Sequence, residues 1–232
     1  SFLLLNSPSA YGKRRQYEGW SYFDMDGLLF DTELVYNQEW YYIAELYGLK
    51  VDPAMLDELR GTNGTRMSEI VNTYWPRVDA KKLTDELFAH AIVTLSKQVP
   101  MKPGVVELLE YLKQHAVRMA VASSAPMELI KSNLRLAGIA DYFDAVVSGE
   151  QVEHGKPFPD IFLLAAQKLN LQAQDCYVFE DGINGVRAGI QAGCSTIMVP
   201  DLVPPTKELY EQCTGIYPSL HAVLHALQTY TC

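Results

Sequence analysis

Cys176-Tyr177-Val178-Phe179-Glu180-Asp181-Gly182-Ile183 reads as a short strand that runs into two acids, a turn and the start of a helix. Four apolar residues in unbroken succession are what a strand shows when helices cover both faces of its sheet, because neither side meets water. The same unit recurs outward in both directions. Downstream, a helix over 183–192 leads to Thr196-Ile197-Met198-Val199. Upstream, a helix over 160–169 leads into the quoted stretch, one over 127–137 leads to Ala145-Val146-Val147, and one over 105–115 leads to Arg118-Met119-Ala120-Val121-Ala122. This alternation predicts an α/β fold with a Rossmann-like, doubly wound parallel sheet.

Before Pro103-Gly104 the pattern changes. Trp20-Ser21-Tyr22-Phe23 is a first strand candidate, aromatic rather than aliphatic, that stops at Asp24-Met25-Asp26-Gly27, where Gly27 permits a tight turn. From 35 to 99 the apolar residues fall at helical spacing: Trp40, Ile43, Ala44 and Tyr47, then Leu83, Leu87, Ala91 and Leu95. Between them Arg60-Gly61-Thr62-Asn63-Gly64-Thr65 is a polar loop, with Thr65 placed to cap the next helix and Ser68 and Glu69 in its first turn. The expected organisation is an α/β core over 19–34 and 100–232, with a small all-helical domain over 35–99 inserted in it. Residues 1–18 read as an N-terminal extension. Phe2-Leu3-Leu4-Leu5 is too short for a signal-peptide core, and Lys13-Arg14-Arg15 follows it instead of preceding it.

The 232 residues are 48% hydrophobic and 20% charged, ordinary for a globular chain long enough to bury a sizeable core. A net charge of −9 argues against a nucleic-acid polymer as partner. No apolar run approaches the roughly 20 residues that span a bilayer, so no membrane partner is expected. Cys176, Cys194, Cys213 and Cys232 are widely spaced and read as reduced thiols, which makes a cytoplasmic location the default. A monomer is expected.

In sheets of this kind ligands bind beyond the carboxyl ends of the strands. There the sequence offers Asp24 and Asp26, then Ser123 and Ser124, then Gly155-Lys156-Pro157, then Glu180 and Asp181. Carboxylates can hold a divalent cation while hydroxyls, a lysine and backbone amides hold phosphate oxygens. Each piece alone has a plainer reading. Asp-x-Asp serves turns, Ser before a helix is usually a cap, and acids at a helix start complement its dipole. A single Lys156 is ordinarily solvated. Their joint occurrence in order, each after its own strand, favours a phosphoryl-transfer site.

Four motifs then carry a family resemblance over residues 20–227. Phe23-Asp24-Met25-Asp26-Gly27-Leu28-Leu29-Phe30-Asp31-Thr32-Glu33 resembles the opening motif of the haloacid dehalogenase-like hydrolases. Val121-Ala122-Ser123-Ser124 is similar to the second, Gly155-Lys156-Pro157 with Pro159-Asp160-Ile161-Phe162 to the third, and Glu180-Asp181-Gly182-Ile183-Asn184-Gly185 to the fourth. The helical insert resembles the small cap of the subgroup with phosphoglycolate phosphatase, β-phosphoglucomutase and pseudouridine-5′-phosphatase.

The resemblance implies a magnesium-dependent phosphatase that hydrolyses a small phosphomonoester, a sugar phosphate or nucleotide-like metabolite, through an aspartyl phosphate. Asp24 would be the nucleophile and Asp26 the acid and base, a second Asp that the family's dehalogenases lack. Ser123 and Lys156 complete the catalytic set. Phosphate would be bound by Gly27, Ser123, Ser124 and Lys156, with Arg66 a further anion contact from the cap. Mg²⁺ would be held by Asp24, Asp26 through its carbonyl, Asp181 and Glu180, the last directly or through water. Gly182 and Gly185 let the fourth loop approach closely or serve simple turn geometry. Around Tyr36, Tyr41 and residues 60–66 the cap face would select the leaving group. The alternative is a phosphomutase of β-phosphoglucomutase type, which carries a histidine where spacing from Asp24 puts Tyr36 here. A phospho-acceptor signalling module lacks a helical insert. His154 reads as a polar loop residue, and His221 and His225 share helical spacing with no acid near them in sequence.

Overall fold

A computed structural model describes residues 20–59 and 64–230. The extension expected over 1–18, the loop at 60–63, the Thr65 side chain and Cys232 lie outside the described residues. The chain forms two compact units, one of residues up to Phe30 and from Met101 onward, the other Asp31–Pro100.

The first unit is a six-stranded parallel sheet with helices. Its elements are β1 (Trp20–Phe23), α5 (Val105–Gln114), β2 (Arg118–Ser123), α6 (Met127–Leu136), β3 (Ala145–Ser148), α7 (Asp160–Lys168), β4 (Cys176–Glu180), α8 (Ile183–Gln191), β5 (Ser195–Met198), α9 (Lys207–Gln212), β6 (Gly215–Ile216) and α10 (Leu220–Tyr230). Strand order is β3-β2-β1-β4-β5-β6. The first three strands are laid down in one direction and the next three return to the other side of β1. The order therefore switches between β1 and β4, where such sheets open a crevice at their carboxyl ends.

β1 is central, with Phe23 beside Val121 of β2 and Phe179 of β4. Its aromatic character follows from that position, since both faces are buried and need volume. Tyr22 stacks on Phe162 of α7 with ring centroids 6.3 Å apart, and Phe23 stacks on Phe179 at 4.8 Å. Both rings are fully buried, each contributing about 1.5–3 kcal/mol of apolar burial. β2 and β4 each run one residue beyond the apolar stretch read from sequence, so Ser123 and Glu180 end strands instead of starting loops. α9, β6 and α10 extend the sheet past the last strand expected from sequence; a two-residue strand has no periodicity to read.

The second unit is helical: α1 (Thr32–Leu46), α2 (Pro53–Leu59), α3 (Gly64–Tyr74) and α4 (Ala80–Leu95). No strand occurs among its described residues. Trp40, Ile43, Leu83, Leu87, Met55, Ile70 and Trp75 form its own core. Asp79 caps α4 by accepting from the Lys82 amide at 3.0 Å. α3 starts at Gly64, so Thr65 lies in its first turn and not at its cap. The units divide after Phe30, four residues earlier than the sequence suggested, because the helix that opens the second unit already begins at Thr32. Among the described residues no helix is long and apolar enough to cross a membrane. Cys176, Cys194 and Cys213 carry no disulfide.

Candidate active site

Asp24 follows β1 directly, and its amide donates to the Phe179 carbonyl at 3.0 Å, holding it at the switch between β1 and β4. The chain then closes a compact turn. Leu29 and Phe30 amides both donate to the Met25 carbonyl at 3.0 Å, and the Gly27 amide donates to the Phe30 carbonyl at 2.8 Å. Gly27 has φ +85°, and a Cβ there would lie 2.3 Å from Asp181 Oδ2. Both the left-handed backbone and the close carboxylate require glycine. The turn that opens the chain thus seats an acid that arrives more than 150 residues later.

Lys156 reaches the same place from the segment after β3. Its Nζ donates to Asp24 Oδ1 at 2.5 Å, Glu180 Oε1 at 2.7 Å and the Ala122 carbonyl at 3.1 Å. Those three acceptors match the three donors of an ammonium. Only 8% of the lysine side chain is exposed. Burial works against its charge, but Asp24 and Glu180 outweigh it and hold the ammonium protonated well above the ordinary lysine range.

Glu180 ends β4 almost fully buried. Its Oε2 accepts from the Gly182 amide at 3.1 Å, and a Cβ on Gly185 would fall 1.6 Å from Oε1. The carboxylate therefore occupies the space that a side chain at 185 would take. Gly185 lies inside α8, so close approach and not turn geometry explains it. Gly182 contributes its amide; no atom lies nearer than 3.8 Å to its Cβ position. Burial drives the Glu180 carboxyl upward in pKa, against the pull of Lys156. Burial, then the charges of Glu180 and Asp24, push the Asp181 carboxyl up to about 9.

Carboxylate oxygens of Asp24, Glu180 and Asp181 lie within 4.8 Å of one another, the one such acidic group among the described residues. Three acids face a single ammonium, and the carboxyls of Glu180 and Asp181 are held above their ordinary range by burial first and then by the neighbouring negative charge. An all-oxygen donor set with surplus charge fits a hard divalent cation.

Ser123 ends β2, buried, and its hydroxyl oxygen accepts from the Ala125 amide at 3.1 Å. Ser124 is exposed beside it. Two residues that the sequence reading passed over support this turn. Ser148 Oγ donates to the Ala125 carbonyl at 2.7 Å, and the Cβ position of Gly149 is 3.0 Å from Ser124 Cα. A Ser-Gly pair directly after the strand was their one visible signal.

The structure thus brings Asp24, Gly27, Lys156, Glu180 and Asp181 together, with Ser123 next to the carbonyl that Lys156 binds. Asp26 is partly exposed, its backbone bridged to Phe30. Arg66 belongs to the helical unit, where it pairs with Glu69 at 3.2 Å on an exposed surface. His154 is tied to Asp160, Nδ1 to Oδ1 at 3.0 Å. His221 does have an acid nearby, Glu107 at 3.5 Å on α5, a pairing between helices that sequence distance concealed; neither it nor His225 joins the acidic group.

Comparison with known proteins agrees with this geometry. The family model described as haloacid dehalogenase-like hydrolase matches residues 22–199, most of the chain. The chain belongs to the haloacid dehalogenase-like hydrolases. Within that family it is 31% identical to hexitol phosphatase B of Escherichia coli (strain K12) over 186 residues, 77% of this chain and 82% of the relative. It is 34% identical to the phosphorylated carbohydrates phosphatase of Thermotoga maritima over 182 residues, 75% of this chain and 82% of that one. A Thermotoga maritima crystal structure described as a "putative beta-phosphoglucomutase" superposes with a TM-score of 0.79 at 28% identity, covering 91% of this chain and 99% of that one. These likenesses identify the sheet and inserted helical unit as the architecture of this family and its small-cap subgroup.

Proposed function

We propose that this hydrolase is a magnesium-dependent phosphatase of a small sugar phosphate, working through an aspartyl phosphate on Asp24. That it is a phosphoric monoester hydrolase rests on its family and its phosphatase relatives; two of them are named for carbohydrate phosphates, which motivates the substrate class. The observation that carries the finer reading is the buried lysine bridging Asp24 and Glu180 while Asp181 lies against them. The helical unit is read as a cap that chooses the leaving group, Arg66 as its anion contact, and the setting as cytoplasmic, with a monomer as the working unit.

In this reading one Asp24 oxygen attacks phosphorus, and the bond from phosphorus to the ester oxygen breaks as the new bond forms. Asp26 gives its proton to the departing alkoxide. Asp26, now a carboxylate, takes a proton from water, the water oxygen attacks phosphorus, and the bond to Asp24 breaks to release inorganic phosphate. Both aspartates return to their starting forms. Lys156 orients the Asp24 carboxylate and meets charge developing on the phosphoryl oxygens, joined by the Ser123 hydroxyl and the Ser124 amide. Gly27 lends its compact turn to the same pocket. Mg²⁺ would be held by Asp24, the Asp26 carbonyl and Asp181. When bound it supplies positive charge that offsets repulsion between carboxylate and phosphate. Both Glu180 oxygens already accept hydrogen bonds, which favours contact with the ion through water.

Phosphate release from sugar phosphates, nucleoside monophosphates and phosphoglycolate tests this, with Mg²⁺ and with Asp24→Asn beside the wild type. Metal-dependent release, fastest on a sugar phosphate and abolished by the substitution, is expected. No release from any ester by folded, metal-loaded protein would overturn the phosphatase reading and favour mutase turnover.

A further inference from the structure

Asp26 lies in a turn whose last residues pair, through Phe30 and Met101, with the chain where it re-enters the α/β unit. Phe30 bridges Asp26, and Phe30 and Leu29 both bind the Met25 carbonyl. The Leu29 carbonyl then accepts from the Lys102 amide at 2.9 Å, just after the chain re-enters the α/β unit at Met101. The Lys102 side chain continues the link, its Nζ donating to Asp201 Oδ1 at 2.6 Å with both side chains under one-fifth exposed. Asp201 lies in the segment leaving β5, where the Val199 amide binds the Glu180 carbonyl at 2.7 Å. Its second oxygen, Oδ2, is buried without a hydrogen-bond partner among the described residues.

A partly desolvated ion pair with one carboxylate oxygen unsatisfied is a costly way to fasten a loop, and an apolar pair would do as well for stability alone. What the pair adds is a directional tie between the segment that holds the Asp26 turn through Leu29 and the one leaving the strand beside Glu180. We infer that Lys102 and Asp201 are positioning residues that fix the Asp26 turn for proton transfer to the leaving oxygen. The inference rests on the acid role of Asp26 proposed above. A displacement of the turn by about 1 Å is enough to cost orders of magnitude in such a step.

The test measures kcat/KM with Mg²⁺ on two esters, a sugar phosphate whose alkoxide must be protonated and an aryl phosphate whose phenolate leaves without a proton. This ratio reports events up to leaving-group departure, before water enters. Asp201→Ala is expected to lose about 10- to 100-fold on the sugar phosphate and far less on the aryl ester. Asp201→Asn, which keeps an acceptor oxygen for Lys102, should recover most of the loss. Lys102→Met removes the same tie from the other side, and combining it with Asp201→Ala should add little to either alone. Equal losses on both esters, or none on either, in variants with native circular dichroism would overturn the inference. Asp26→Asn keeps the two levels apart. If it is selective for the sugar phosphate while Asp201→Ala is not, the positioning role fails and the acid role stands. If Asp26→Asn shows no selectivity, the acid role fails, and this inference with it.

Discussion

Each unit of the protein buries a glutamate, and the two glutamates have opposite fates. In the helical unit Glu39 of α1 is closed off by α4: Thr94 Oγ1 donates to it at 2.7 Å, His90 Nδ1 meets its other oxygen, and the Tyr42 ring stacks on that histidine. One acid has two partners and belongs to no cluster of three acids among the described residues. In the α/β unit Glu180 also has two partners, Lys156 and the Gly182 amide, but Asp24 and Asp181 crowd the same space. Burial is common to both; surplus charge is not. A buried acid with its own partners fastens helices, whereas an unbalanced cluster is held in place at a cost that a bound proton or cation relieves. Charged pairs of the helical unit such as Lys81–Asp85 and Arg66–Glu69 are exposed and one turn apart, worth only a few tenths of a kcal/mol.

The sharpest way to break that contrast is Lys156→Met. It leaves Asp24 and Glu180 without their shared cation and should reduce kcat by about 10³-fold or more, measured as phosphate release with Mg²⁺ saturating. Next is the pH response of the metal-free protein. The Asp181 carboxyl is raised from an ordinary 3.8 to about 9 in the fold, so between those values the folded state holds a proton that the unfolded chain has released. Stability should be greatest below the lower value and fall as pH rises toward the upper one. Thermal melts across that window read the slope, which saturating Mg²⁺ should flatten by favouring the ionised acid. A melting temperature that rises with pH in the metal-free protein would contradict the surplus-charge account.

Gly185→Ala is expected to have a smaller effect. Its Cβ would collide with the Glu180 carboxylate, costing about 1–3 kcal/mol of stability in denaturant titration and lowering kcat by displacing that acid. His90→Ala in the helical unit should be milder, about 1 kcal/mol, because the histidine is 41% exposed and Thr94 still serves Glu39. Its ratio of alkyl to aryl phosphate activity should match the wild type. A change in that ratio would mean that Glu39 is no mere fastener.

The strand–helix alternation was readable because buried parallel strands and amphipathic helices leave opposite signatures, and five of the six strands fall within a residue of the expected stretches. β6 was not, being two residues long, and α2, lying between α1 and the polar loop, was merged into a general helical region. At the site, the acids and the lysine were visible as residue types after strands. Their partnerships were not, since they depend on β4 lying beside β1, which no local pattern states. Gly27 looked like a turn residue, and its second role against Asp181 exists only in three dimensions. Lys102 and Asp201 are 99 residues apart and neither belongs to a motif, so nothing in the chain drew attention to them.

The most direct test of the central claim is to mix enzyme, Mg²⁺ and sugar phosphate, quench in acid within a turnover, and map phosphoryl groups by peptide mass spectrometry. The account predicts one phosphoryl group on the peptide containing Asp24, lost on longer incubation and absent from Asp24→Asn. Phosphate release in that time with no modified peptide, or with the group on Ser123, would contradict it.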